Sequence, residues 1–350
     1  MAKSLPSWIS KGKGSDRRKR GDPPPSHALE KLLESEPGGS RMQTPVLLPI
    51  VGKGGNGKTT VAASLGLGLA ERGYRILIAS VDPAHNLADV LETDLGPKPV
   101  MVEDRENLWA VEVDNEQALR NYLDRTSREV RHTYRYLQAL NLERFLNTLR
   151  LAPGVEEQVA MEEVAGLLIR AGEEGFDALI LDTPPTGLTM RVLALPTVST
   201  QWAEQLQRVR REILKKREVI ERVVGPEEAI IGDEKVRIPS SEQKDPVSRI
   251  LKDYLSDTTG LRDLFADSER TGVVLVRHPD RISGLESERA LADLTRLGIP
   301  LAMIVWNRCG AGEMQEMDSV EGAVRNIPLL VDEPIGSARL LHISGHLLSQ

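Results

Sequence analysis

Val46-Leu47-Leu48-Pro49-Ile50-Val51 is a short apolar run with no polar alternation, bounded by turn residues. A run of that length and pattern predicts a strand covered on both faces, as in a parallel sheet. Similar runs occur at Arg75–Val81, Leu108–Val113, Ala178–Leu181, Val273–Val276 and Ala302–Val305. Helical patterns separate them. Lys58 to Arg72 is rich in Ala and Leu and stops at Gly73, a residue type suited to the position after a helix. Strands alternating with helices predict βαβ units, hence an α/β fold: a parallel twisted sheet flanked by helices.

Two long, charged helical stretches interrupt this pattern, at 115–169 and 197–267. In the second, Trp202, Leu206, Val209, Ile213, Ile220 and Val223 recur at spacings of three, four and seven among Arg, Lys, Glu and Gln. This is one narrow apolar stripe, read here as a helix packed on its own domain rather than an exposed client groove. Ala229–Ile238 has the pattern of a small hairpin, and no internal repeat is present. Residues 1–44 hold a basic run from Lys11 to Arg20, then Pro23-Pro24-Pro25 and Gly38-Gly39, with few periodic apolar residues. They read as a disordered tail, since little surface could be buried to offset the ordering entropy.

Composition narrows the function classes. Of 350 residues, 3% are aromatic, so aliphatic side chains and Ala must fill the core. No stretch approaches the roughly 18 uninterrupted apolar residues of a membrane span. The single cysteine, Cys309, excludes an internal disulfide, a four-cysteine zinc site or a cysteine-ligated cluster within one chain. This fits a reducing setting and an expected cytoplasmic location. Residues 1–45 carry nine Lys/Arg against five Asp/Glu, and the remainder 36 against 47. An acidic body repels nucleic acid, so no nucleic-acid partner is expected. The basic tail reads as solvated, with a membrane-surface contact (Leu5, Trp8 and Ile9 beside the basic run) or a nucleic-acid arm as alternatives.

The strongest chemical signal is Gly52-Lys53-Gly54-Gly55-Asn56-Gly57-Lys58-Thr59, two glycines spaced before Lys and Thr as in a phosphate-binding loop. The glycines let successive backbone N–H groups converge on phosphate oxygens, and the following helix points its positive end at the same anion. ATP and Mg²⁺ are the expected cofactors. Lys58 reaches the β- and γ-phosphates, the Thr59 hydroxyl ligates Mg²⁺, and Gly54, Gly55, Asn56, Gly57 and Thr60 line the site. Lys53, a second lysine within the loop, points to the deviant Walker A class, in which this lysine reaches the partner subunit's phosphates and makes hydrolysis depend on a dimer. The strand Ile76–Val81 runs into Asp82-Pro83-Ala84-His85-Asn86, and Ala178–Leu181 runs into Asp182-Thr183-Pro184-Pro185. Carboxylates at the carboxyl ends of parallel strands stand where α/β ligands bind. Asp82 is placed to orient the attacking water, though Asp-Pro is also good turn chemistry, and Asp182 to hold Mg²⁺ directly or through water. Gly187 and the paired prolines suggest a loop that responds to the γ-phosphate.

Together these residues, with Asn107–Val113, Pro153–Glu157, Asp182–Pro196 and Pro328–Leu340, resemble the ArsA family, which includes the arsenite-pump ATPase and the ATPase that targets tail-anchored membrane proteins. The resemblance runs from about Val46 to Leu340 and implies one ATPase domain over 45–345, with a helical subdomain contributed by about 115–169 and 197–267. It also implies that Asn86 contacts nucleotide near the dimer interface, that Asn307 reads adenine and that Pro328 packs on the base. Asp280, with Glu286 and Arg289, then belongs to a nucleotide-contacting loop. Asn56 stands where an apolar residue is usual, Pro184 where Ala is and Leu188 where His is.

The expected function is a Mg²⁺-dependent, dimeric switch ATPase that handles protein clients, membrane-protein targeting leading, with a protein client or a related ATPase subunit as partner. The alternatives are a positioning ATPase of the ParA/MinD class and a pump-energising ATPase for arsenite or another anion. The absence of methionine between Met190 and Met303 gives no support to an adaptable groove for transmembrane segments. A soft metalloid site would use several thiolates, and this chain has one.

Overall fold

All six predicted strands form, and the sheet they build has eight strands in the order β10-β9-β8-β1-β5-β2-β4-β3. In chain order these are β1 (Val46–Gly52), β2 (Ile76–Ser80), β3 (Val100–Met101), β4 (Leu108–Glu112), β5 (Ala178–Asp182), β8 (Val273–Arg277), β9 (Leu301–Cys309) and β10 (Ala323–Pro328), with β6 (Glu228–Ile231) and β7 (Glu234–Arg237) pairing separately as the expected hairpin. Every neighbouring pair in the sheet is parallel except β3–β4. The computed structural model describes residues 45–350 apart from 85, 103–104, 134–151, 153, 226–227, 232–233, 311–322 and 349–350, together with Pro6, Ile9 and Leu29. The basic run 11–20, residue 85, Pro153 and the middle of the first charged stretch therefore lie outside the described residues.

The helices are α1 (Lys58–Glu71), α2 (Leu87–Leu91), α3 (Asn115–Thr133), α4 (Val155–Glu173), α5 (Thr186–Val224), α6 (Pro246–Ala266), α7 (Arg281–Leu297) and α8 (Ser337–Leu348). The alternation of side chains along β1 divides the core. Val46, Leu48 and Ile50 face α1 and α8 in one cluster with Leu65, Leu69 and Ile343. Leu47 and Val51 face the other way, with Leu168 of α4, Leu193 of α5, Leu264 of α6 and Leu294 of α7. Both faces of the sheet are thus covered, which is why its strands read as unbroken apolar runs. β3 and β10 were not expected: they lie at the two edges of the sheet, β3 as an exposed pair of residues and β10, with the sequence AVRNIP and no such run, mostly half-buried.

One reading needs correction. The stripe on α5 is not packed on the chain's own domain. Trp202 is 65% exposed, Val209 58% and Val223 81%, and Leu206, Ile213 and Ile220 are also exposed. Helix α5 packs on α6, with Ala203 and Leu214 of α5 buried, and leaves the wider apolar stripe in solvent; Val247, Ile250 and Tyr254 of α6 are exposed too. The expected tail, 1–44, lies outside the described residues apart from Pro6, Ile9 and Leu29. Ile9 is fully buried in the cluster with Leu47, and Leu29 is buried in the cluster with Leu48.

An ion pair with a buried carboxylate ties α5 to the start of α6. Arg210 donates from Nε and Nη2 to both Asp245 oxygens at 2.8 and 2.7 Å. The same carboxylate caps α6, accepting from the Ser248 backbone N–H at 2.9 Å and from its hydroxyl.

Candidate nucleotide site

The loop after β1 turns at glycines that sterics require. A Cβ on Gly52 would lie 2.3 Å from the Val276 carbonyl oxygen, because Gly52 pairs with Val276 across the sheet. Gly57 has φ +86° and faces Asn307, whose Nδ2 would lie 2.4 Å from an added Cβ. Gly57 also occupies the N-cap of α1 without offering a side-chain acceptor. The first N–H groups of α1 are left for a ligand, the arrangement that makes a helix start an anion site. Lys58 is buried beneath the loop, whereas Lys53 is half-buried and Gly54 and Gly55 are exposed.

Below the loop stands Asp182, the last residue of β5, fully buried and paired in register with Ile50 of β1 and Ser80 of β2. Its Oδ2 accepts from the Thr59 hydroxyl at 2.8 Å and the Ser80 hydroxyl at 3.2 Å, while its Oδ1 is buried with no hydrogen-bond partner. Burial pushes the Asp182 carboxyl up to about 6, with the Thr59 hydrogen bond and the Lys58 ammonium pulling the other way and the Asp82 carboxylate adding to the rise. An orphaned buried oxygen beside a threonine hydroxyl and a lysine fits a hydrated divalent cation bound with a phosphate.

Asp82 is half-buried at the end of β2, and its Oδ1 accepts from the Ala84 N–H at 3.1 Å, so the turn and the carboxylate are one unit. Asn86 is exposed at the N-cap of α2 and makes no side-chain cap. A residue that the sequence reading missed supplies it: Glu112, at the end of β4, accepts from the Leu87 and Ala88 N–H groups at 2.9 and 3.0 Å. The signal was available, because Glu112 is an acid at the carboxyl end of an apolar strand run, as Asp182 is.

On the other side of the loop, Asn307 is buried, and its amide donates to the Asn56 carbonyl at 2.8 Å while its own oxygen accepts from the Arg308 N–H at 3.0 Å. Asp280 caps α7, accepting from the Ile282 and Ser283 N–H groups at 3.0 and 2.9 Å. Those N–H groups, with Lys53 nearby, hold its carboxyl below the usual range. Pro328 ends β10, exposed and paired in register with Cys309. Direct contacts therefore pair Thr59 with Asp182 and Asn56 with Asn307, with Lys58 and Asp82 close enough to act on the Asp182 carboxyl, whereas Asn86 and Pro328 are exposed.

The sequence profile of the family described as anion-transporting ATPases matches residues 46–326. The chain is similar to ATPase get3 of Pyrenophora tritici-repentis, 29% identical over 318 residues that cover 85% of this chain and 89% of that one. It is similar to ATPase GET3B of Arabidopsis thaliana, 30% identical over 274 residues, 73% of this chain and 62% of the relative. A Chlorobaculum tepidum protein named for an arsenical pump-driving ATPase is 30% identical over 271 residues, 75% of this chain. The chain spans only 60% of that last relative's length.

Proposed function

The chain belongs to the ArsA family of anion-transporting ATPases, and on that premise we propose that it is a Mg²⁺-dependent, ATP-hydrolysing dimeric switch that handles protein clients. The observation that carries this is Asp182: a fully buried carboxylate hydrogen-bonded to the phosphate-loop threonine, with one oxygen left over. In this reading Thr59 and Asp182 hold Mg²⁺, which, when bound, offsets charge on the β- and γ-phosphates. Lys58 and the free N–H groups of α1 bind the phosphate oxygens. Asp82, at the mouth of β2, orients the attacking water and takes up its proton. Lys53 is partly solvent-facing in the single chain, which suits a role across a dimer interface, where it neutralises developing charge.

The client role rests on the apolar face of α5 and α6. Trp202, Val209, Val223 and Ile250 are each more than half exposed, a concentration that marks an interaction surface. Targeting of membrane proteins is the leading form of this role, since their spans are the apolar cargo such a face would shield. An arsenite-handling role is disfavoured: the chain's one cysteine, Cys309, is buried, with its Sγ 3.4 Å from the Trp306 carbonyl.

The test measures phosphate release with Mg²⁺ and the molar mass of the protein by light scattering with and without ATP. Wild type should hydrolyse ATP, and the Asp82→Asn variant should double in mass when saturated with it. Hydrolysis by Lys58→Ala at the wild-type rate, or a monomer under all conditions, would sink the reading.

A further inference from the structure

Asn56 stands where the family resemblance leads one to expect an apolar side chain, and its surroundings are not apolar. It is 3% exposed. Its Nδ2 donates to the Val276 carbonyl at 3.1 Å and to the Ser283 hydroxyl oxygen at 3.0 Å. Ser283 lies in the first turn of α7, and its hydroxyl oxygen also accepts from the His278 N–H at 3.0 Å. The backbone carbonyl of Asn56 accepts from Asn307, at the far end of β9, and its backbone N–H donates to the Lys53 carbonyl at 3.2 Å within the loop. One residue of the phosphate loop thus binds the end of β8, the start of α7 and the end of β9, partners 220, 227 and 251 residues away.

We propose that Asn56 is a positioning residue that clamps the phosphate loop to the 278–283 connection, so that the phosphate half and the base half of the nucleotide site keep one spacing. The proposal rests on the reading of this site as a nucleotide site. The connection held by the side chain carries Asp280, of the nucleotide-contacting loop, while Asn307, the base-side candidate, is held through the Asn56 backbone carbonyl, a bond that side-chain substitution leaves in place. An apolar side chain of similar volume would fill the space but leave the loop and the connection free to shift. A ligand that spans both halves would then have to order them on binding, and affinity would fall. A ligand that occupies only the phosphate half would not notice the difference.

That asymmetry separates a positioning role from a merely structural one. The full chain and its Asn56→Leu, Ser283→Ala and double variants are titrated by calorimetry with ATP and with inorganic tripolyphosphate, and melting is followed in parallel. Each single variant should weaken ATP about five- to tenfold, the range expected for loss of one or two buried hydrogen bonds, and weaken tripolyphosphate less than twofold. The double variant should be no more than twofold weaker than Asn56→Leu alone, because both substitutions cut the same link. Equal losses for ATP and tripolyphosphate, or ATP binding unchanged in both single variants, overturn the proposal. If Asn56→Leu fails to fold, Ser283→Ala decides alone, since it removes the acceptor and leaves Asn56 in place. Lys58→Ala is the control for the underlying reading: it should lose both ligands, and if it binds ATP as wild type does, the nucleotide assignment fails rather than the clamp.

Discussion

The Thr59 hydroxyl donates to Asp182 Oδ2 at 2.8 Å, joining the first turn of α1 to the end of β5 across 123 residues of chain. The pair sits below the loop with Lys58 alongside, and the other Asp182 oxygen has no partner. A carboxylate kept dry and half-satisfied is costly unless a cation or a proton completes it.

The pH dependence follows from that cost. Asp182 has its carboxyl raised from 3.8 to about 6 by burial, so the folded protein holds this proton more tightly than the unfolded chain does. The associated stability is fully present below about pH 4 and is lost as pH rises through about 6. In Mg²⁺-free buffer we expect Asp182→Asn to remove a loss on the order of 2 kcal/mol between pH 4 and 7, read from urea melts of both proteins. Added Mg²⁺ with nucleotide should stabilise wild type more at pH 7.5 than at pH 5, and Asp182→Asn at neither.

Glu112 holds the start of α2 through the Leu87 and Ala88 N–H groups, and the turn that carries Asp82 leads into that helix. Glu112→Ala should therefore cost about 1–3 kcal/mol of stability, the range for a buried donor left unpaired. It should also lower kcat at least tenfold, with KM for ATP changed less than threefold. Glu112→Gln keeps one acceptor and should recover most of the rate. A variant with normal kcat would show that α2 does not place the turn that carries Asp82.

Gly57→Ala should abolish nucleotide binding, because the residue would have to hold φ +86° and meet Asn307 Nδ2 at 2.4 Å. Gly55 shares the positive φ, at +81°, but has no atom within 4 Å of an added Cβ. Gly55→Ala should be the milder of the two, weakening ATP by backbone strain alone. Reversal of that order in a fluorescent-nucleotide titration would contradict the loop geometry.

Asp245 offers a test of the α5–α6 pair that is independent of chemistry. Its carboxyl is held well below the usual range by the Arg210 guanidinium, so its contribution is present above the ordinary value of 3.8 and is lost only as pH falls below it. Asp245→Ala strands a half-buried arginine and removes the cap of α6, and should cost about 3 kcal/mol at pH 7 by chemical denaturation. ATP affinity should stay within twofold of wild type.

Trp202→Glu and Val209→Asp test the exposed face. Both side chains are more than half in solvent, so stability should change by less than about 0.5 kcal/mol. Binding of an apolar fluorescent dye, and of a synthetic peptide with the apolar composition of a membrane span, should fall at least fivefold. Unchanged peptide binding in both variants would leave the apolar face without a part in client handling.

The elements most legible in the sequence were those whose cause is local. Strands β1, β2, β4, β5, β8 and β9 were readable because burial on both faces writes an unbroken apolar run, and α1 because Ala and Leu continue until Gly73. The phosphate loop was readable because its glycines answer to backbone angles set within eight residues. β3 and β10 were not, since an exposed or half-buried edge strand has no need of such a run. The α5 stripe had the right period, but a period only says that one face is apolar, not whether another element covers it.

By itself, then, the sequence determined the alternation of strands and helices, the phosphate loop and the strand-end carboxylates, because period, glycine and the end of an apolar run are properties of neighbouring residues. Only the tertiary structure decided what the side chains in the site touch. Asn56 became a clamp, Glu112 a cap for α2, Asp280 a cap for α7, and Ile9 and Leu29 parts of the core. The physical reason is range. Apart from Asp280, whose donors are two and three residues on, each of these roles depends on partners brought close by the sheet order, and a hydrogen bond formed across 24 or 251 residues leaves no period in the chain.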